Sequence, residues 1–162
     1  MKRLYIIRHA KAEFPSLLKD DYDRNLMDKG IKRAQQIALD LKNRLKITAN
    51  TLVISSTANR ALQTAELFGT ILGYPLENIQ QQQSIYEAHY KTILEVINKV
   101  PNTVENLLVF GHNPGLSDLS NYICDTCIDL KTAHVACIEL EEGLDFRELS
   151  GGTAHLKNIL TA

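Results

Sequence analysis

The sequence predicts an α/β fold: a three-layer sandwich in which a mostly parallel central sheet lies between two layers of helices. The alternation of two sequence patterns leads to this fold class. Short apolar runs rich in β-branched residues alternate along the chain with longer stretches whose apolar residues recur at helical spacing. Such alternation is typical of parallel sheets covered by helices on both faces. The length of 162 residues, without an internal repeat or a linker, predicts a single domain spanning residues 1–162.

The predicted strands are the short apolar runs. Three of them, at residues 3–8, 51–55 and 107–111, are each followed by a helical pattern, as expected of buried parallel strands. Two more are predicted near the end of the chain, at residues 135–141 and 153–160, where turn-rich stretches such as Ser150-Gly151-Gly152 join them.

Four helices are predicted from apolar stripes and their stop signals. The first spans residues 27–45, with Asp28 as its cap. The second follows the strand at 51–55, is capped by Ser56 or Thr57, and ends at Gly73. The third spans residues 90–100 and the fourth about 114–122. The glutamine-rich stretch at residues 80–84 is expected to be an exposed connector.

Composition and charge exclude several classes of function. With 18 basic and 19 acidic side chains the net charge is −1, so nothing in the overall charge favours nucleic acid or an anionic membrane as a partner. The first apolar run ends at Arg8 after four residues, whereas the core of a signal peptide needs roughly 7–15. We therefore expect a cytoplasmic protein with reduced cysteines.

Polar residues suited to phosphate follow the first three predicted strands. In chain order they are Arg8, His9, Ser56, Arg60, His112 and Asn113. Because ligands bind at the carboxyl ends of the strands in open α/β sheets, we expect these side chains to line one crevice and contact the substrate. Arginine binds phosphate oxygens, a neutral imidazole attacks phosphorus, and a second imidazole, protonated near neutral pH, stabilises the transition state. Singly, each residue could be an ordinary polar side chain; together they favour a phosphoryl-transfer site.

Three segments resemble the histidine phosphatase superfamily, which includes the cofactor-dependent phosphoglycerate mutases. They are Leu4-Tyr5-Ile6-Ile7-Arg8-His9-Ala10, Ser55-Ser56-Thr57-Ala58-Asn59-Arg60-Ala61-Leu62-Gln63-Thr64-Ala65 and Val109-Phe110-Gly111-His112-Asn113-Pro114. The resemblance implies a phosphoglycerate mutase-like fold, a phosphorylated His9, and a phosphate pocket lined by Arg8, Arg60 and His112. It implies no cofactor and no metal. Ala10 stands where the superfamily usually has glycine, and we expect its methyl group to cause slight crowding.

Within the superfamily the chain looks most like the SixA-type phosphohistidine phosphatases. Asp23-Arg24-Asn25-Leu26 followed by Gly30 resembles their entry into the first helix, and Gly111-His112-Asn113-Pro114-Gly115-Leu116-Ser117 also fits this branch. The short chain leaves no room for a large lid, so an open site would admit a protein side chain. The resemblance implies a phosphohistidine protein, such as one of a phosphorelay, as the partner.

Glu87 is a candidate general acid by resemblance. Mutases and ester phosphatases of the superfamily use a carboxylic acid to protonate an oxygen leaving group, and Glu87 occupies about the corresponding stretch. Alternatively, its charge only favours the start of the helix at residues 90–100. A departing imidazole needs such an acid less, because it is easily protonated near neutral pH.

The spacing of Cys124, Cys127, His134 and Cys137 is compatible with a zinc site. However, His134 and Cys137 are three residues apart in a predicted strand, so their side chains point to opposite faces. A redox pair would normally begin a helix, whereas Cys124 and Cys127 follow one. We therefore expect neither metal nor redox function from these residues.

The sequence favours a hydrolase that transfers a phosphoryl group from a phosphohistidine protein to His9 and then to water. The alternatives are a small-molecule phosphomonoesterase that uses Glu87 as the acid, and a phospho-ligand binding module without turnover. A binding module would not need the nucleophile that the sequence retains. A nucleotide-binding domain is disfavoured because no glycine-rich phosphate loop is present.

Overall fold

The computed structural model describes residues 1–161, and four helices pack around one six-stranded sheet in that range. The strands are β1 (Arg3–Arg8), β2 (Thr51–Ser55), β3 (Gln80–Gln81), β4 (Asn106–Gly111), β5 (Val135–Leu140) and β6 (Ala154–Leu160). The α-helices are α1 (Asp28–Lys42), α2 (Asn59–Leu72), α3 (Tyr90–Asn98) and α4 (Gly115–Cys124).

The strands lie in the order β3-β2-β4-β1-β5-β6. The pairs β2–β3, β2–β4 and β1–β4 are parallel, whereas β5 runs antiparallel to both β1 and β6. The parallel pairs belong to the part of the chain in which helices connect consecutive strands, because a parallel connection needs a crossover. The predicted mostly parallel α/β sandwich is confirmed.

Side chains of the central strands point alternately to the two helical layers and pack against them. In β1, Leu4 and Ile6 belong to the apolar cluster under α3 and α4, whereas Tyr5 and Ile7 belong to the cluster under α1 and α2. Each fully buried Leu or Ile contributes roughly 1.5–3 kcal/mol to folding. The central strands are therefore apolar on both faces, and polar groups are displaced to the strand ends.

Two predicted helix caps are wrong. The N-cap position of α1 is Met27, which makes no side-chain cap, and Asp28 is the first helical residue, where its charge still favours the helix dipole. The N-cap position of α2 is Ala58 rather than Ser56 or Thr57. Gly73 ends α2 as predicted, in the left-handed region with a φ of 85°.

The glutamine-rich connector is exposed as predicted but is more regular than expected. Gln80 and Gln81 form the short edge strand β3, and residues 83–85 form one turn of 3₁₀ helix. Within residues 1–161, no helix combines the length and the apolar character that crossing a membrane requires.

Candidate active site

The carboxyl ends of β1, β2 and β4 meet at one edge of the sheet. The strand register pairs Arg8 with Gly111. The pairing continues beyond the strands, because the backbone N–H of His9 donates to the carbonyl of Gly111 and that of Ser56 donates to the carbonyl of Phe110, both at 3.0 Å. Sheet hydrogen bonds therefore fix the backbone positions from which the predicted site residues project.

His9 is buried and held in one tautomer. Its Nδ1 lies 2.7 Å from the carbonyl oxygen of Ala10, which can only accept, so Nδ1 carries the proton and Nε2 keeps its lone pair. Burial, opposed by the bond to Ala10, and the nearby charges of Arg60 and Arg8 lower the pKa of His9 to about 4. His9 is therefore neutral at pH 7, as a nucleophile must be.

Ala10 positions this tautomer through its own backbone. Its N–H donates to the hydroxyl oxygen of Thr64 on α2 at 3.0 Å, and its methyl group is fully buried in the apolar cluster under α1 and α2. The carbonyl that orients His9 is thus anchored to the helix that also carries Arg60.

His112 lies beside His9, with the two ring centroids 5.3 Å apart. Its Nε2 is 2.8 Å from the Ser56 hydroxyl oxygen, which can donate to it and leave the ring proton on Nδ1. Burial, together with the neighbouring His9 and Arg60, lowers the pKa of His112 to about 3. Burial is the main reason that the ring is neutral in the unliganded site, with the charges of Arg60 and Arg8 adding to it, whereas the sequence led us to expect a protonated ring.

Arg8 and Arg60 each use part of their guanidinium groups to hold the fold. Arg8 Nη1 donates to the carbonyl of Leu130 at 3.0 Å. Arg60 is buried, and its Nη1 and Nη2 donate to the backbone carbonyl and the carboxylate of Asp21 at 2.7 and 2.9 Å. Both side chains are therefore fixed before any ligand binds.

Unpaired buried polar atoms are concentrated at this strand edge. Within residues 1–161 they are Arg8 Nε, Arg60 Nε, His112 Nδ1 and Thr57 Oγ1. Buried donors without a partner are rare in folded proteins, since each costs about 1–3 kcal/mol. Three of the four are nitrogens that can donate to an anion, and they belong to the three residues predicted to line a phosphate pocket.

Asn113 is committed to contacts within the fold. Its side-chain nitrogen donates to the Leu130 carbonyl at 2.8 Å, and its side-chain oxygen accepts from both the backbone N–H and the hydroxyl of Ser117 on α4. The Leu130 carbonyl therefore joins Asn113 to Arg8. Asn113 orients the start of α4, and its contact with substrate stays a prediction.

Glu87 lies outside α3, whose N-cap is His89. The alternative, that its charge only favours the start of α3, stays a prediction. Glu87 is exposed, has a left-handed backbone with a φ of 49°, and follows Tyr86, whose ring lies 5.4 Å from that of His112. A left-handed backbone costs a non-glycine residue about 1 kcal/mol or more, and such strained residues are common near functional sites. The role of Glu87 as a general acid stays a prediction.

Asp21 is a site residue that the sequence reasoning missed. Its carboxylate accepts hydrogen bonds from Arg60 Nη2 at 2.9 Å, Arg24 Nε at 3.0 Å and the Tyr86 hydroxyl at 2.6 Å. Although burial alone would raise it, the bonds from Tyr86 and the arginines hold the pKa of Asp21 well below its usual range. The sequence offered one signal, the spacing of Asp21 and Arg24. The other two partners of Asp21, Arg60 and Tyr86, are 39 and 65 positions away.

The family model described as histidine phosphatase superfamily (branch 1) matches residues 4–112. The match covers more than half of the chain and includes Arg8, His9, Arg60 and His112. The chain belongs to the histidine phosphatase superfamily. An uncharacterised protein of Mycobacterium tuberculosis is 37% identical to this histidine phosphatase over 114 residues, which are 70% of this chain and 67% of that protein.

Solved structures share the histidine phosphatase fold over nearly the whole chain. A candidate phosphohistidine phosphatase SixA from Agrobacterium tumefaciens is 25% identical, with a TM-score of 0.79 over 99% of this chain and 98% of that chain. The protein histidine phosphatase SixA complexed with tungstate is 22% identical, with a TM-score of 0.81 over 98% of this chain and 96% of that chain.

The cysteines of this histidine phosphatase lie apart from the site residues. Cys124 ends α4 and is half-buried, Cys127 is exposed, and Cys137 is buried in β5. His134 precedes β5, and its Nδ1 accepts from the backbone N–H of Lys131. Within residues 1–161, no group of three or more His, Cys, Asp or Glu side chains is arranged to hold a metal ion.

Proposed function

We propose that this histidine phosphatase removes the phosphoryl group from phosphohistidine side chains of proteins, with His9 Nε2 as the nucleophile. One observation carries the proposal. A neutral, buried His9 with a free Nε2 lies beside His112, and unpaired donor nitrogens of His112, Arg8 and Arg60 are buried at the same strand edge. Such an arrangement of donors favours the charged oxygens of a phosphoryl group.

The first step exchanges one nitrogen–phosphorus bond for another. The bond from His9 Nε2 to phosphorus forms while the bond from phosphorus to the substrate imidazole breaks, and the departing imidazole takes up a proton. The guanidinium groups of Arg8 and Arg60 neutralise the equatorial oxygens. A bound phosphoryl dianion also raises the pKa of His112, because opposite charge favours the imidazolium.

The second step returns the enzyme to its starting state. Water attacks phosphorus, the bond to His9 Nε2 breaks, and inorganic phosphate leaves. The proton that water gives up offsets the one taken by the substrate imidazole. Throughout, the Ala10 carbonyl keeps the other ring proton on His9 Nδ1, so Nε2 is regenerated as the free nucleophile.

Two observations support phosphohistidine as the substrate. Asp21, the carboxyl group bonded to Arg60, is ionised by its hydrogen bonds and cannot serve as an acid near neutral pH. An imidazole leaving group needs no positioned acid, unlike an alkoxide. A protein with this fold also binds tungstate, a tetrahedral oxyanion like phosphate.

The test is to trap the intermediate. After acid-free quenching with labelled phosphohistidine protein, the wild type should carry an acid-labile, base-stable phosphoryl group, and His9→Ala should carry none. His155→Ala, which changes an exposed histidine on β6, is the matched control and should label like the wild type. Label that persists on His9→Ala, or that is found on Ser56, contradicts the proposal.

The second candidate is a phosphomonoesterase for small molecules, in which Glu87 protonates the leaving oxygen. The left-handed backbone of Glu87 beside Tyr86 favours it. A comparison of kcat/KM for a phosphohistidine protein and for simple alkyl phosphates decides between the two. Faster turnover of the alkyl phosphates would replace the first proposal with this one.

A further inference from the structure

The loop between β1 and α1 presents large apolar side chains to solvent. Phe14 is 72% exposed, Leu18 is 97% exposed and Leu17 is fully exposed, and all three fall within five residues. We call Phe14, Leu17 and Leu18 the apolar tip. Single exposed leucines are ordinary on protein surfaces, whereas three large apolar side chains exposed within five residues favour an interaction site.

Hydrogen bonds give the loop a defined shape. At its neck, Glu13 forms an ion pair with Lys19 at 3.0 Å and accepts from the backbone N–H of Asn25 at 2.6 Å. Arg24 Nη1 donates to the Glu13 carbonyl at 2.6 Å, and the Ser16 hydroxyl accepts from the backbone N–H of Leu18. These bonds fix the neck of the loop, whereas the three side chains of the apolar tip stay exposed.

The apolar tip lies close along the chain to Asp21, which bonds Arg60 of the phosphate site. Leu18 is three residues from Asp21, a distance of at most about 11 Å along an extended chain. Asp21 in turn bonds Arg60 at 2.9 Å. A phosphorylated side chain that enters the site brings the surface of its own protein to this rim, whereas a small phosphate ester carries no such surface.

We infer that the apolar tip docks the protein that carries the phosphohistidine, by packing against an apolar surface next to the phosphorylated side chain. This inference rests on the proposed function and extends it to the partner. Asp20 and Asp23 are exposed beside the tip, and the neighbouring positive charge of Lys19 is paired with Glu13, so the rim carries net negative charge. The surface that fits is thus an apolar patch bordered by basic residues.

The experiment replaces Leu17 and Leu18 together with asparagine, which leaves the core intact because both side chains are exposed. The double variant is compared with the wild type on three unrelated proteins phosphorylated at histidine with phosphoramidate, and on the free amino acid phosphohistidine. Leu39→Asn, a half-exposed leucine on α1, is the matched control.

We expect kcat/KM of the double variant to fall roughly tenfold on at least one phosphorylated protein, with the change in KM. Truncating an important interface residue costs more than about 1 kcal/mol of binding free energy, so two together reduce affinity by roughly tenfold or more. Its kinetics on free phosphohistidine, and those of Leu39→Asn on every substrate, should match the wild type. Unchanged kinetics on all three proteins, or equal losses on free phosphohistidine, overturn the inference.

Two other occupants of the apolar tip would also overturn it. Sedimentation that shows a dimer of the wild type and a monomer of the double variant, with unchanged protein kinetics, assigns the tip to a second copy of this chain. Binding of the wild type alone to phospholipid vesicles, again with unchanged kinetics, assigns it to a membrane surface. A wild type that hydrolyses alkyl phosphates but no phosphohistidine substrate contradicts the proposed function itself.

Discussion

Glu87 distinguishes the two substrate classes at the scale of a single residue. With a phosphohistidine substrate, Glu87→Gln should change kcat little, because the departing imidazole takes its proton from solvent or from His112. With any alkyl phosphate that is turned over, loss of a positioned acid should reduce the rate roughly 10²–10⁴-fold. Steady-state kinetics on both substrates measure the difference.

Arg60→Ala is the control for the Glu87 comparison. The variant should damage both reactions, since an arginine that contacts the phosphoryl group serves any leaving group. A large effect of Glu87→Gln on phosphohistidine would contradict the mechanism proposed above. Negligible effects on both substrates would remove Glu87 from the site.

Asp21 should act as a positioning residue for Arg60. Asp21→Ala removes the acceptor that fixes Nη2 of Arg60, and we expect kcat/KM to fall roughly tenfold or more on every substrate, because misplaced catalytic groups lose their advantage. Asp20→Ala removes the same charge from the neighbouring exposed position and should have little effect on free phosphohistidine, which carries no protein surface to dock. Faster turnover in Asp21→Ala would mean instead that the carboxylate competes with the phosphoryl group for Arg60.

The site residues differ in how far the sequence could predict them. Arg8, His9, Ser56, Arg60 and His112 come together at one edge as expected because each follows a parallel strand or begins the next helix, and strand direction alone places them there. Asp21 begins one turn of 3₁₀ helix in the connection between β1 and α1, where neither periodicity nor strand position indicates a partner. The charge of His112 also depends on neighbours that only the folded chain brings together.

At the scale of elements, the start of α4 packs against the segment that precedes α3. A Cβ atom on Gly115 would clash with the carbonyl oxygen of Ala88 and lie 3.0 Å from Ile93 Cδ1. We therefore expect Gly115→Ala to lower the free energy of unfolding by about 1–3 kcal/mol, although alanine is intrinsically the better helix former. Urea denaturation of Gly115→Ala measures the loss.

Asp118→Ala, an exposed change on the same helix, is the control for Gly115→Ala and should cost only the roughly 0.3–1 kcal/mol that a carboxylate in the first turn contributes. Tyr86 in this segment lies beside His112, so a shift of the segment should also lower the activity of Gly115→Ala. A Gly115→Ala protein as stable and active as the wild type would show that the two segments separate easily.

The sequence predicted the helices and the main strands better than their ends or directions. Apolar periodicity located α1 to α4 because the stripes face a large buried sheet. It did not locate the cap of α2, because Ser56 lies two residues before the N-cap, where its hydroxyl bonds both His112 and the backbone N–H of Ala58. It also left the direction of β5 and β6 open, since alternation in burial is the same for parallel and antiparallel strands.

At the scale of the whole molecule, the two buried imidazoles make stability depend on pH. The pKa values of His9 and His112 are lowered, mainly by burial, to about 4 and about 3, whereas a histidine in the unfolded chain titrates near 6.5. Between these values the unfolded chain binds protons that the folded chain does not, so stability falls as pH falls.

Between pH 7 and pH 4 we expect the folded state to lose about 3 kcal/mol for each of these histidines. Urea denaturation across this range measures the loss. A variant with both His9→Asn and His112→Asn should show a flatter curve. Parallel curves for the wild type and the double variant would contradict the assignment of both buried imidazoles as neutral.

Activity should survive chelators and thiol-blocking reagents, because no step in the proposed mechanism uses a metal or a thiol. Burial raises the pKa of Cys124 to about 12 and that of Cys137 to about 11, so both thiols stay protonated and unreactive at pH 7. Assays after treatment with a chelator or with iodoacetamide check this expectation. Activity lost to the chelator and restored by zinc would contradict it.

Because β5 runs antiparallel to β1, the segment that precedes β5 lies at the catalytic edge of the sheet. Val135, the first residue of β5, pairs with Ile7, and the backbone carbonyl of His134 accepts from the N–H of Arg8. The connection from α4 to β5 therefore borders the phosphate site without belonging to any strand–helix unit. Insertions into this connection could reshape the rim around the leaving group while the nucleophile and its donors stay fixed. It is the place where substrate range could diverge among proteins that share one chemistry.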